Sequence, residues 1–496
     1  WLKPYGLPGW MVTSTPTLWT EVAAALNIVL PAALANSCEY LPVCLGFVFV
    51  GHGKSPNADL ELDAVGLART YFNMIGMAPG FGLISALRTQ CPQAVGAGMP
   101  KKCAGYIQRT AIIVAISSVF MLPLVLFAGS ILEALGQPPE LCALAQPYVI
   151  RMSPQYYFVV GLSILQRVFQ AHGWNYANLV IVGVACLIAP LIQWFLIREL
   201  GLGYLGAAFA GIAYNFAIIC IQIPYLYWLG HGYLFELQWH ELTLRDFLSD
   251  CKLITQGFTM VCVEWWVMEV IVLFSGRMHN SVAAVGASAV ASQVQTLAVM
   301  AWIGLCVAAS TQVGQRIGAG DAMGARRAAK VCLGLGVLTG LAIGMMVEIF
   351  APAIADAFAK PGSINRLMCQ VLRLLAPIMV LDATNNTLVG VCSGLGLLRA
   401  PACGQLAGYY GVCLPFAVLF GFVIMGSNDS AVFMLWTGVG LAMLTASIIQ
   451  VLAIMRHDWQ LSVAEAHVRL GCAAAHHAEQ HGPRTGAELG NQLLES

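Results

Sequence analysis

The stretch MVCVEWWVMEVIVLFSG, Met260 to Gly276, decides how this chain is read. It is an apolar run of membrane-spanning length that carries two acids, Glu264 and Glu269, with Trp265 and Trp266 beside the first. A charged group deep in a bilayer-crossing helix costs about 2.5–3.5 kcal/mol on insertion scales, and more when isolated. Such a group faces a protein interior or a wet cavity, and desolvation there favours the protonated carboxyl. Two readings follow: an ion-handling site, or two structural acids bonded to neighbouring helices.

The whole chain agrees with a membrane setting. Its 496 residues are 59% hydrophobic and 10% charged, against about 25% charged in soluble proteins. A β-barrel would show short segments of alternating polarity, whereas the apolar runs here are long and continuous. Lys+Arg and Asp+Glu are both 24, so no basic footprint for nucleic acid exists. The sixteen Cys are scattered singly and form no CxxC pair. Neither a disulfide framework nor a metal site is expected. No GxxxxGK[ST] occurs, so no ATP site and no cofactor are expected. The start at Trp1 suggests a fragment or processed form, and nothing there reads as a cleavable signal peptide.

At about 20 apolar residues per span, twelve candidates lie near 20–50, 62–90, 106–132, 143–170, 175–197, 204–229, 247–276, 283–312, 326–357, 367–391, 402–425 and 431–455. The expected class is therefore an all-α membrane protein. Lys101, Lys102, Arg316, Arg326, Arg327, Lys330 and Arg456 fall in loops on one side, which puts both termini in the cytosol. Asn428-Asp429-Ser430 would then face outward as a glycosylation sequon. The tail from Arg456 to Ser496 is polar and reads as disordered. Its Cys472, His476, His477 and His481 resemble a metal cluster only loosely.

An internal repeat sets the architecture. Residues 89–98 read TQCPQAVGAG and residues 311–320 read TQVGQRIGAG. Both fit TQxxQxxGAG, which singles out Thr89, Gln90, Gln93, Gly96 and Gly98 with Thr311, Gln312, Gln315, Gly318 and Gly320. Ala64 pairs with Ala284, Pro154 with Pro377, Gly173 with Gly396 and Pro190 with Pro415, at offsets between 220 and 225. Six spans is an even number, so both halves enter from the same side, as a parallel repeat. The expected organisation is an N-terminal lobe at 1–230, a C-terminal lobe at 231–455 and a tail at 456–496. Substrate would sit between the lobes, exposed to each side in turn as the lobes rock. The glycine motifs read as structural, gate-related joints.

These residues resemble the multidrug and toxic compound extrusion (MATE) family, in its eukaryotic, plant-like branch. CVEWWVMEVIVLFSG at 262–276 is similar to the plant pattern CLEWWSFELLVLLSG. AASTQVGQRIGAGDAMGAR and LRLLAPIMVLDATNNTLVGVCSGLG at 372–396 are similar to further family stretches. The resemblance covers residues 20–455 and implies a proton-coupled antiporter that exports organic compounds by alternating access. It implies a proton- and substrate-binding role for Glu264 and Glu269, with Asp382 as a third acid. Gln293 stands where animal members carry a further Glu. Gly46 stands where the bacterial branch carries its coupling Asp, and Glu39 lies two turns earlier on the same face.

Each residue also has a plainer reading. Glu264 and Glu269 lie about 140° apart on a helix; Glu264 is expected to line the cleft, while Glu269 is either a second cleft acid or a structural acceptor. Glu39 either couples or packs, with packing preferred. Trp265 and Trp266 either form an aromatic wall or are lipid-facing bulk, and Tyr156, Tyr157, Tyr409 and Tyr410 either join that wall or anchor helices at the interface. Asn385 and Asn386 either orient Asp382 or bond between helices.

Competing functions are a sodium-coupled exporter, a lipid-linked flippase of the same superfamily, and a polytopic enzyme or receptor. A flippase would line its cleft with basic residues, and the acids argue against it. An enzyme would need a nucleophile–base or metal set at one depth, and none is visible. The expected partners are a small-molecule substrate, protons and the lipid bilayer. The chain is expected to work as a monomer in the plasma or vacuolar membrane.

Overall fold

The protein is described by a computed structural model over residues 17–53, 57–239, 242–278, 281–360, 362–426 and 431–471. The sequon at 428–430 and the Cys472, His476, His477, His481 group lie outside these residues.

All regular structure among the described residues is helical. The first half comprises α1 (Leu18–Gly51), α2 (58–96), α3 (Lys102–Leu126), α4 (139–171), α5 (Asn175–Glu199) and α6 (Tyr204–Trp228). The second half comprises α7 (Leu244–Ser275), α8 (Ser281–Gly318), α9 (Ala322–Phe358), α10 (Ser363–Leu395), α11 (Arg399–Ile424) and α12 (Ala431–Arg456). Ten of these are long and apolar enough to cross a membrane. The other two, α2 and α4, are interrupted. A π-turn at Asn73–Met77 and a 3₁₀ turn at Ile84–Ala86 break α2, and α4 breaks at Ser153–Pro154. Gly76, Pro79, Gly80 and Gly82 supply the breaks in α2, since Pro removes a backbone donor and Gly stiffens the chain least.

Two apolar cores mark two lobes. One is built almost wholly from residues 50–258, the other almost wholly from 263–443. Large apolar side chains such as Ile116, Phe120, Leu187, Leu191, Met345 and Ile349 point outward. They form the face a bilayer would wet, so the helices hold together by close packing and polar contacts.

The repeat motifs meet each other. An added Cβ on Gly96 would run into the Gln315 backbone, and one on Gly318 would run into the Gln93 backbone. The amides are exchanged in the same sense: Gln93 donates to the Gly394 carbonyl at 2.9 Å, and Gln315 donates to the Ala171 carbonyl at 2.8 Å. Thr89 donates to the Ser393 carbonyl at 2.6 Å. Gly98 and Gly320 both take positive φ, 73° and 82°, as do Gly173 and Gly396 at 77° and 83°. Thr311 and Gln312 are buried in the same joint.

Buried ion pairs cross between the lobes at this end. Glu21, in the first turn of α1, is held by Arg316 of α8. Asp250, near the start of α7, is held by Arg109 of α3 and by the Gln90 amide. Each lobe thus begins with an acid captured by an arginine of the other.

The tail corrects one expectation. Residues Trp459–Leu470, expected to be disordered, form helix α13. The Asp458 side chain caps its start, and Gly471 closes it at φ 73°. Its buried face carries Ser462, Ala466 and Leu470 at helical spacing. The helix packs under the motif joint: Arg469 donates to the Gln93 side chain at 2.9 Å, His467 meets the Gly318 carbonyl at 3.0 Å, and Ser462 donates to the Leu395 carbonyl at 3.0 Å.

Two outcomes follow for unfolding in detergent. Gly96→Ala and Gly318→Ala should each lower stability by about 1–3 kcal/mol through overpacking, and Gly98→Ala, which has open space but positive φ, by about 1 kcal/mol. Asp250→Asn should cost about 3 kcal/mol, because it removes one charge of a buried pair; a change below about 0.5 kcal/mol, as at an ordinary surface site, would show that the pair carries no stability.

Candidate functional site

Helix α7 is pressed against α2 of the other lobe by small residues. A Cβ on Gly82 would lie 2.7 Å from the Phe258 Cα, and one on Gly257 would collide with Ser85. The Trp266 indole donates to the Met74 carbonyl at 3.0 Å, inside the π-turn of α2 whose bulge redirects that carbonyl. Trp265 is 37% exposed and tilts against Phe81 at 5.7 Å. With both tryptophans turned toward α2, Glu264 faces α10 and α11 within its own lobe.

Glu264 is only lightly held. The Gln405 amide donates to it at 3.3 Å, against the four lone-pair sites a carboxylate offers. Its charged neighbours are Asp382 and Arg88. Asp382 is buried on α10, one turn past Pro377. It accepts from Gln295 of α8 at 3.1 Å and from Asn386, four residues on, at 2.8 Å. The Trp302 indole also faces it. Asp382 is therefore fixed in place, while Glu264 is left able to exchange partners.

Helix α11 completes the wall. It is wound as a π-helix over Leu406–Cys413 and again over Ala417–Ile424, around Pro415. Gln405, the last α-helical residue before the first π segment, donates to Glu264, and Tyr409 within that segment is buried beside both acids. The Tyr409 hydroxyl, the Gln405 carbonyl oxygen and the Gln295 carbonyl oxygen are buried without a protein partner. Two carboxyl groups thus sit near each other with buried, unpartnered oxygens of Tyr409, Gln405 and Gln295 around them, and such oxygens are costly to leave unbonded.

The remaining expected residues divide. Asn386 joins the site through Asp382, whereas Asn385 turns away and accepts from Gln450 at 2.8 Å. Glu269 is half-buried and has neither Glu264 nor Asp382 as an electrostatic neighbour. Gln293 accepts from the Tyr40 hydroxyl at 3.0 Å and so ties α8 to α1. Tyr410 is 41% exposed and points away from Tyr409. Glu39 accepts from Gln166 and lines a separate cavity within the first lobe, with Gly46, Gln155, Gln193, Tyr214 and Asn215. Tyr156 is buried against Ser117 in the first lobe and Tyr157 bonds Ser118, so neither reaches the acids. Gln295, Trp302, Gln405 and Arg88 were not expected from the sequence. Gln295 and Trp302, seven apart on α8, share one helical face, which is the signal that locates them.

The chain matches the MatE family over residues 31–195 and 258–419. Among curated proteins it is 29% identical over 453 residues to Multidrug and toxin extrusion protein 1 of Homo sapiens, covering 90% of this chain and 77% of that protein. It is 28% identical over 454 residues to Protein DETOXIFICATION 35 of Arabidopsis thaliana, covering 91% of each. Among solved structures, the eukaryotic MATE transporter AtDTX14 superposes with a TM-score of 0.84 at 23% identity, over 91% of this chain and 99% of that one. The Vibrio cholerae MATE transporter VcmN in its bent form gives 0.74 at 17% identity, over 91% and 99%. The two halves of the family match correspond to the two lobes, and the chain belongs to the MatE family of membrane transporters.

Proposed function

We propose that the chain is a secondary active exporter of organic compounds that exchanges its substrate for protons at Glu264 and Asp382. The observation that carries this reading is the placing of a buried, well-bonded acid, Asp382, near a half-buried, lightly bonded one, Glu264. Protonation of Glu264 removes the charge that would hold a cationic group, so proton and substrate compete for one position. Competition of this kind is sufficient for exchange when the pocket opens alternately to each side. The names of the curated relatives, multidrug and toxin extrusion and DETOXIFICATION, support an exported xenobiotic or metabolite.

In this reading residues 1–230 and 231–455 move as two lobes. The joined TQxxQxxGAG motifs then form the gate on the side that carries the basic loops. That side is the cytosolic one by the excess of Lys and Arg, with the chain in the plasma or vacuolar membrane. One chain contains both lobes and acts as a monomer. Asp382 holds the site's shape, and Glu269 has a packing role.

The test is uptake of a fluorescent organic cation into proteoliposomes under an imposed pH gradient, with and without sodium. Uptake should follow the pH gradient and ignore sodium. Glu264→Gln should slow it by about tenfold or more, the loss expected for one charge-assisted contact. Glu269→Gln should change it by less than about twofold, as a residue outside the pocket. Sodium dependence, or undiminished uptake by Glu264→Gln, would overturn the reading.

A further inference from the structure

Helix α13 reaches from one lobe to the other at the end where the two motifs meet, and the exchange described above gives it no part. Only His457 and Asp458 separate it from α12, and its first turns are fastened to the second lobe. Ser462 donates to the Leu395 carbonyl at 3.0 Å, which leaves its hydroxyl to accept from His457 Nε2 at 2.7 Å. His467 donates through Nε2 to the Gly318 carbonyl at 3.0 Å. Trp459, Val463 and Ala466 pack in a small apolar core built mainly from α8, α9 and α10. The last turn goes elsewhere. Arg469 donates to Gln93 Oε1 at 2.9 Å, and Leu470 is buried in the apolar core of the first lobe. Among the described residues beyond 258, that core takes in Leu398 and Leu470. The Arg469 guanidinium passes over Gly396, where an added Cβ would stand 3.1 Å from Nη2. Gln93 is thus bonded at both ends of its amide, from Nε2 to the Gly394 carbonyl of the second lobe and at Oε1 from Arg469.

The lobes touch here backbone to backbone, Gly96 on Gln315 and Gly318 on Gln93, so this end is closed. Opening it separates those pairs. Helix α13, fastened to the second lobe, then loses the Arg469–Gln93 bond and draws Leu470 out of the first lobe. Opening at the far end, with this joint closed, leaves both contacts made. Contacts present in one state only shift the balance toward that state by their own free energy. A hydrogen bond to a charged group is worth about tenfold or more in such a balance, and the buried leucine adds to it.

We propose that α13 is a latch on the gate at the side of the basic loops, and that its last turn, Arg469 and Leu470, must leave the first lobe before a substrate enters from that side. The latch rests on the export reading, in which this joint opens and closes. It sets how often the Glu264 pocket turns toward the cytosol, and it does so from outside the pocket, through a segment that touches neither acid.

The test reads the joint directly, without transport. Nitroxides are attached to unnatural ketone side chains at positions 101 and 330, where Lys101 of the first lobe and Lys330 of the second are exposed, so the sixteen native Cys stay in place. Pulsed electron–electron resonance on the full chain in detergent gives the distance between them. The wild-type protein should show mainly one short distance. Arg469→Gln combined with Leu470→Ser should raise a longer-distance population by about tenfold or more, and Arg469→Gln alone should give part of that rise. Val468→Ser, on the exposed face of α13, should match wild type. Should the double variant fail to fold, Arg469→Gln alone decides the matter. Unchanged distances in the Arg469 variants, or an equal rise in Val468→Ser, overturn the latch. A helix that only adds stability would lower the unfolding temperature in these variants and leave the distances alone. Proteoliposome uptake separates the two claims. Longer distances in the variants with no movement of an organic cation keep the latch and remove the export reading; pH-driven uptake with unchanged distances does the reverse.

Discussion

Two buried ion pairs carry the relation between the lobes: Glu21 with Arg316, and Asp250 with Arg109. Charges out of water are tolerated only when their partners are held close. Each pair joins the first helix of one lobe to the other lobe, so the pairs fix how far α1 and α7 slide along their neighbours. That register is what allows the backbones at Gly96 and Gly318 to meet without a side chain between them. It also brings Gly82 and Gly257 together, seats Trp266 on the α2 π-turn, and so turns Glu264 inward. A hydrophobic joint would slide with less penalty, and the acid pocket would lose its orientation. Helix α13 adds further bonds to the same joint from below, through Arg469 and His467.

The pocket itself is a departure from ordinary packing. Asp382 has its hydrogen bonds made, and Glu264 has one long bond to Gln405, whereas Gln405, Tyr409 and Gln295 leave buried oxygens unsatisfied. Such groups destabilise a fold, and the long π-winding of α11 that carries Tyr409 is itself uncommon. Stability given up in one place is what the proposed exchange would require of its site. The rigid core surrounding it makes that loss tolerable.

Much of this was legible before any coordinates. An acid in an apolar run stands out, so Glu264 was singled out from its own stretch and Asp382 through the family resemblance, and the repeated TQxxQxxGAG pointed to two lobes. Amides do not stand out in the same way, and neither Gln295 nor Gln405 was singled out from the sequence. Tyr409 lies where α11 leaves α-geometry, and periodicity at 3.6 residues per turn does not describe a π-helix. Arg88, two residues before Gln90 of the first motif, was not singled out either. The helix at Trp459–Leu470 had a cap at Asp458 and a stop at Gly471, but the polar composition of the whole tail outweighed those local signals. Glu269 shows the converse. It looked as informative as Glu264, and only the 140° between them on α7 separates a pocket residue from one packed elsewhere.

The claim at the centre of this account is that a cation and a proton compete for Glu264. It is tested most directly by titrating the purified chain with an organic cation in two buffers of different ionisation heat. The difference between the apparent binding enthalpies counts the protons released. The account predicts release of a substantial fraction of one proton per cation bound in the wild-type protein, and none in Glu264→Gln. Identical heats in the two buffers for the wild-type protein, with binding intact, would contradict it.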